Sequence, residues 1–331
     1  MNYPELSQFR MIDEQLRATV VVPGSMGSSW ITPEVSVGKT ELKSVAHRHG
    51  DMTWTAPVEG ENAIWVASSD GLVKRWDFDT GRGESHDIPY EFAIGGAHAT
   101  RDGGLVLKSR FWNADEKKFE TGERVMVWHP TRPPVTVTIS GLSIRDAALA
   151  NPSTLVVVGE ASTVWWDLTK GQVVHQESGR GHLSENGQSI AFFDAVTTFR
   201  RTVGPARFMR TNDPTRVHTI KSVLSCAFSP DGSLFVCGEP QKEEYKFWRR
   251  VYAVEDGAQL GELSMNGSGA FAHVSPEGDA DLVGDYAMLR YLWTTTTGGT
   301  TGLPEDDFYL GFSSDGRVIT VRGEFIALEP Y

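Results

Sequence analysis

A strand-turn-strand phrase returns along this chain about every 42 residues, and few architectures accommodate such a rhythm. Its clearest copy is Ala63 to Gly81, AIWVASSDGLVKRWDFDTG. Ala63 to Ala67 is apolar and rich in β-formers, Ser69-Asp70-Gly71 has turn chemistry, and Leu72 to Phe78 is a second strand-length run, so the stretch reads as a hairpin. Gly71 suits that turn because it takes positive φ without a Cβ clash, and the Asp70 carboxylate can accept from nearby backbone N–H groups. Inner hairpin turns can be marked at Asn62, Gly103, Ser153, Gly187, Gly232, Gly278 and Gly316, with gaps of 41, 50, 34, 45, 46 and 38 residues. An apolar run follows each turn. Third strands then read at Val73 to Trp76, Arg124 to Trp128, Thr163 to Trp166, Phe247 to Val254, Met288 to Trp293 and Glu324 to Leu328. The fourth repeat is ragged, with Thr197 to Val203 its best third strand.

In Ala63 to Gly81 the chain resembles the WD-repeat β-propeller family, whose four-stranded blades carry Gly-His ahead of the inner strand and Trp-Asp at the end of the third. His49 lies 27 residues before Trp76, a spacing that fits the family. The resemblance implies that His49, Ser68, Asp70 and Trp76 form a buried hydrogen-bond chain of structural purpose. Phe228-Ser229-Pro230-Asp231-Gly232 and Phe312-Ser313-Ser314-Asp315-Gly316 are similar to the family's inner-hairpin wording. The signature decays along the chain: Trp76-Asp77 and Trp166-Asp167 keep the pair, whereas Trp128-His129, Trp248-Arg249 and Trp293-Thr294 keep only the Trp. The expected fold is therefore all-β, a seven-bladed β-propeller of four-stranded antiparallel blades over residues 35–331. Tyr331 follows directly on the seventh third strand, so Val35 to Lys43 is expected to supply the missing strand, pairing with Glu324 to Leu328 and closing the ring.

Residues 1–34 do not match the repeat. Leu6, Phe9, Ile12 and Leu16 recur at helical spacing, which predicts a short helix followed by an extended segment at Thr19 to Val22. This N-terminal extension reads as a strap across a propeller surface or as an arm that docks a partner. The length of 331 residues is no obstacle to one domain, because repeat architectures grow by adding units, and the ten Trp residues suit the wedges between blades. No apolar run reaches the roughly 18 to 20 residues that span a bilayer. The N-terminus lacks a secretory pattern, and a cytoplasmic location without membrane contact is expected. A net charge of −12 argues against nucleic acid as the principal partner. Around the Ser229 to Gly232 turn, counting sets Cys226 opposite Phe235 or Val236 and Cys237 opposite Leu224 or Ser225, so two buried free thiols are expected rather than a disulfide.

Three features carry candidate chemistry. His98, His182 and His273 each stand five residues before a hairpin Gly, on the inner strands of the second, fourth and sixth repeats. Facing a central channel they could converge on a ligand or an ion, with carboxylates such as Asp102 or Glu185; packed between blades they would be structural. Arg200, Arg201, Arg207, Arg210, Arg216 and Lys221 set six cations against the single Asp213, an anomaly in an acidic chain and a candidate anion-recognising patch. Two connections are long for hairpins, Asn113 to Glu123 and the low-complexity Thr294 to Asp307. No catalytic, dinucleotide, phosphate-loop or metal motif is present, and no cofactor or metal is expected. The expected function is a non-catalytic protein-protein interaction scaffold that binds a protein partner through a propeller face and its loops. The rival is a small-molecule-binding protein or an enzyme with its site on that face or in the channel.

Overall fold

The computed structural model describes backbone at 5–12, 15–23, 29–32 and 45–47 and, from 53 to 329, everything except 59–62, 69–70, 78–81, 89–91, 114–117, 185, 194–195, 198–201, 230, 242–245, 267–270, 276–279, 286–287, 295–299, 303–307, 313–317 and 323–324. Side chains are described chiefly over 92–110 and 120–264. All regular elements among the described residues are strands.

An N-terminal sheet holds β1 (Glu5–Ile12), β2 (Gln15–Pro23), β3 (Ser29–Thr32) and β4 (Val45–His47) in sequence order. The first repeat holds β5 (Thr53–Pro57), β6 (Ala63–Ser68), β7 (Leu72–Asp77) and β8 (Arg82–Asp87); the second, β9 (Ile94–Ala99), β10 (Leu105–Asn113), β11 (Lys118–His129) and β12 (Arg132–Thr138). The third holds β13 (Ile144–Asn151), β14 (Thr154–Gly159), β15 (Ser162–Asp167) and β16 (Gln172–Ser178). The fourth is five-stranded, with β17 (Gly181–Leu183), β18 (Ser189–Phe193), β19 (Val196–Thr197), β20 (Thr202–Arg210) and β21 (His218–Val223). The fifth holds β22 (Ser225–Phe228), β23 (Leu234–Pro240), β24 (Lys246–Ala253) and β25 (Gln259–Asn266); the sixth, β26 (Phe271–Val274), β27 (Ala280–Asp285), β28 (Met288–Thr294) and β29 (Thr300–Gly302). The seventh shows β30 (Phe308–Phe312), β31 (Val318–Arg322) and β32 (Phe325–Glu329). Every pairing between successive strands is antiparallel, and each marked turn position falls between the first two strands of its sheet. The chain divides into two compact units, one holding β1–β16 and the other, from Gly181, holding β17–β32.

Three expectations need correction. Residues 5–12 form a strand, not a helix: a lone helix of under about a dozen residues is marginal in water, while β2 offers Ala18 to Phe9 and Gln15 to Ile12 across a two-residue connection. The ladder shifts register once, between Leu6 and Gln8. The third strand of the fourth repeat is β20 rather than Thr197 to Val203, because Val196 and Thr197 fold back to pair with Val203 and Thr202. The long connection at Asn113 to Glu123 is mostly strand, with Asn113 opposite Lys118 and Trp112 opposite Phe119. Part of Thr294 to Asp307 is strand as well, since Thr300 pairs with Trp293. Val35 to Lys43 lies outside the described residues.

The core is a series of layers between neighbouring sheets. Leu105 and Leu107 join Trp65, Val73 and Phe92 between the first and second repeats, whereas Val106 joins Leu155, Val157 and Val164 between the second and third. Alternate side chains leave opposite faces of a strand, so the stretch Leu105 to Leu107 of β10, covered on both faces, is apolar at every position. Strand β23 repeats the rule, with Phe235 and Cys237 turned to the fourth repeat and Leu234 and Val236 to the sixth. Trp65, Trp165 and Trp293 are among the largest fully buried side chains. The Trp65 ring meets Trp128 edge-on with centroids 5.2 Å apart.

Candidate functional site

Three of the inner hairpin turns share a construction. In Thr100-Arg101-Asp102-Gly103 the Thr100 hydroxyl donates to the Asp102 carboxylate at 2.5 Å and accepts from Gly104 N–H at 2.8 Å. Ser184 donates to Asn186 at 2.8 Å and accepts from Ser189 N–H at 3.0 Å. Ser229 donates to Asp231 at 2.6 Å and accepts from Leu234 N–H at 3.0 Å. The pattern is a Ser or Thr two residues before Asp or Asn, with Gly next in the left-handed region, φ being +84°, +69° and +67° at Gly103, Gly187 and Gly232. It satisfies the turn's backbone groups from within.

Two of these turns are also held by the preceding sheet. Trp65 Nε1–H donates to the Gly103 carbonyl at 3.2 Å. Ser189 Oγ–H donates to the Gly232 carbonyl at 2.6 Å, Arg210 Nη1 reaches the same oxygen at 3.1 Å, and Asn186 Nδ2 reaches the Asp231 carbonyl at 2.6 Å.

The histidines separate into different environments. His98 turns to the neighbouring third repeat, its Nε2 lying 2.8 Å from Asp146 Oδ1. Burial works against the charge of Asp146, but the His98 imidazole and then Lys108 hold its carboxyl below the usual carboxylate range. Lys108 Nζ donates to the Arg145 carbonyl, and burial pushes its amine down despite the nearby Asp146. Asp102, offered as a partner for a channel histidine, is instead bonded to Thr100 and Arg132. His182 is exposed and borders a cavity of about 280 Å³ within the second unit, its ring meeting Phe193 at 5.1 Å. His273 pairs with Leu282 through its backbone on β26. The side chain of His273, residues Glu185, His49 and Asp70, and the side chains of Ser68 and Trp76 lie outside the described residues.

The cationic stretch is dispersed. Arg200 and Arg201 lie outside the described residues. Arg207 sits over the Phe192 ring at 5.1 Å. Arg210 leaves the opposite face of β20, bonding the Gly232 carbonyl and approaching Glu255 at 3.6 Å. Arg216 approaches the same Glu255 at 3.7 Å, and Lys221 is exposed on β21.

The cysteines are disulfide-bonded, with Cα atoms 4.2 Å apart, and this overturns the expectation of free thiols. The turn is longer than counted: Gly232 N–H closes on the Ser229 carbonyl and Ser229 N–H on the Leu234 carbonyl. Counting back from the Ser229 and Leu234 closure sets Phe228 opposite Phe235 and Cys226 opposite Cys237.

No protein-family model matches the chain, and no curated protein does. Among solved structures, the chain is similar to one in the crystal structure of the mitotic checkpoint complex, at 13% identity over 81% of this chain and 84% of that one, with a TM-score of 0.47. It is also similar to a chain of Kuenenia stuttgartiensis hydrazine synthase, at 12% identity over 92% of this chain and 96% of that one, with a TM-score of 0.50. The second likeness and the succession of antiparallel, mostly four-stranded sheets suggest a β-propeller. Among the described residues no helix is long and apolar enough to cross a membrane.

Proposed function

We propose that the protein is a non-catalytic interaction scaffold of the cytoplasm. In this reading the seven hairpin repeats are the blades of a WD-repeat-like propeller over residues 35–331, and residues 1–34 are an extension beside it. The observation that carries the proposal is the engagement of His98 with Asp146 between neighbouring sheets, the placement expected of a structural imidazole rather than a channel ligand. Arg216 and Lys221 remain exposed in the cationic stretch and offer a protein partner charge to recognise. Arg207 and Arg210 contribute to packing instead, so the test uses the exposed pair. Tagged protein should capture a partner in a salt-sensitive manner, and Arg216→Ala with Lys221→Ala should weaken that capture with the melting temperature unchanged. Capture that is indifferent to both substitutions and to salt sinks the cationic surface.

The second reading is a small-molecule site, favoured by the cavity at His182. Native mass spectrometry that finds a stoichiometric metabolite and no protein partner would establish it over the scaffold.

A further inference from the structure

The two sulfurs of the Cys226–Cys237 bond occupy unlike surroundings. Cys237 is fully buried in the apolar layer with Phe208 and Phe235. Cys226 is half-buried and forms part of the cavity wall with His182, Ser184, Phe193 and Phe228. A cavity of about 280 Å³ has room for several water-sized groups, a water's share of the liquid being about 30 Å³. Cys226 lines the cavity and Cys237, fully buried, does not.

We propose that this cavity is a thiol-disulfide exchange site, in which Cys226 is the exchanging sulfur for a low-molecular-weight thiol and Cys237 is the resolving one. The thiolate of the small thiol attacks Cys226 Sγ. A bond forms between those two sulfurs while the Cys226–Cys237 bond breaks, and its electron pair leaves on Cys237 Sγ, which takes up a proton. One disulfide and one thiol become another disulfide and another thiol, so no external oxidant enters the balance. In the reverse direction Cys237 displaces the small thiol and restores the bond seen here.

The fold favours that reverse step. The cysteine Cα atoms are held 4.2 Å apart by the β22–β23 ladder, so reclosure is intramolecular and fast. In the cytoplasm, the compartment proposed above, persistent disulfides are rare and those that occur are usually transient or redox-sensing. Exchange at Cys226 is independent of the scaffold reading, which does not employ this cavity, and shares the cavity with the metabolite reading.

The test incubates folded full-length protein with glutathione, stops exchange with acid, alkylates in denaturant so that Cys237 is reached, and locates each modification by tandem mass spectrometry. Glutathione on Cys226 with the alkyl group on Cys237 is expected. In Cys237→Ala, the remaining Cys226 should take glutathione from oxidised glutathione without denaturant. In Cys226→Ala, the remaining Cys237 should react at least about tenfold more slowly until the protein is unfolded. Glutathione on Cys237, equal reactivity of the two single-cysteine proteins, or two thiols that oxidised glutathione does not join in the folded wild type would each overturn the proposal. The wild-type readout stands even if a variant folds poorly.

Discussion

Gly232 shows how much one residue carries here. Its φ of +67° is left-handed, and a Cβ built on it would lie 2.8 Å from Ser184 Oγ and 2.9 Å from Asn186 Oδ1, the side chains that organise the neighbouring turn. Gly232→Ala should therefore destabilise the protein by about 1–2 kcal/mol from the backbone alone, with the contact adding to it. Urea denaturation should show a lower midpoint, and an unchanged midpoint would mean that the turn can adopt another conformation. Turn residues of this kind were legible in the sequence because their chemistry is local: Ser229, Asp231 and Gly232 announce a turn within four positions. The partners of His98 and Arg210 were not legible. Asp146 is 48 positions from His98, and only the choice of neighbouring sheet brings the two together.

At the scale of the strand and the sheet, apolar runs identified the inner strands because both of their faces are covered. The same property hides register, since a run that is apolar everywhere does not say which residue faces which neighbour. The cysteine pair was misread for a related reason, turn length rather than strand identity being at fault. Where one sheet meets the next, Ser189 is fully buried and its hydroxyl reaches the Gly232 carbonyl at 2.6 Å while accepting from Arg210 at 3.3 Å. Ser189→Ala should cost about 1–3 kcal/mol, the range for depriving a buried polar group of its partner. Combining it with Arg210→Ala in a double-mutant cycle should give more than the sum of the single losses, because either donor alone still satisfies the Gly232 oxygen and only the double variant leaves it unpaired. Strict additivity would show that the two contacts act separately.

Over the whole molecule, several carboxylates respond together to acid. Burial opposes the charge of Asp146, Asp231 and Asp102, yet His98 for the first, the Ser229 hydroxyl for the second and the Thr100 hydroxyl for the third hold each below its usual value. A carboxyl depressed in the folded state contributes stability above its unfolded value of about 3.9 and loses it as pH falls through the folded value. Thermal stability should therefore be level in this respect near neutrality and decline below about pH 4. Asp146→Asn should lower the plateau and flatten part of that decline; an identical acid profile in wild type and variant would count against the pairing. The hydrogen bonds that join sheet to turn have a different reach. Trp65, Ser189, Arg210 and Asn186 all end on main-chain oxygens of the following turn, and every amino acid brings such an oxygen with it. A mutation in the receiving turn leaves the acceptor in place as long as the backbone keeps its path. Donor and recipient can then drift without waiting for one another, so at these two junctions a lineage can rewrite most of its letters while the sheet still fastens to the turn that follows it.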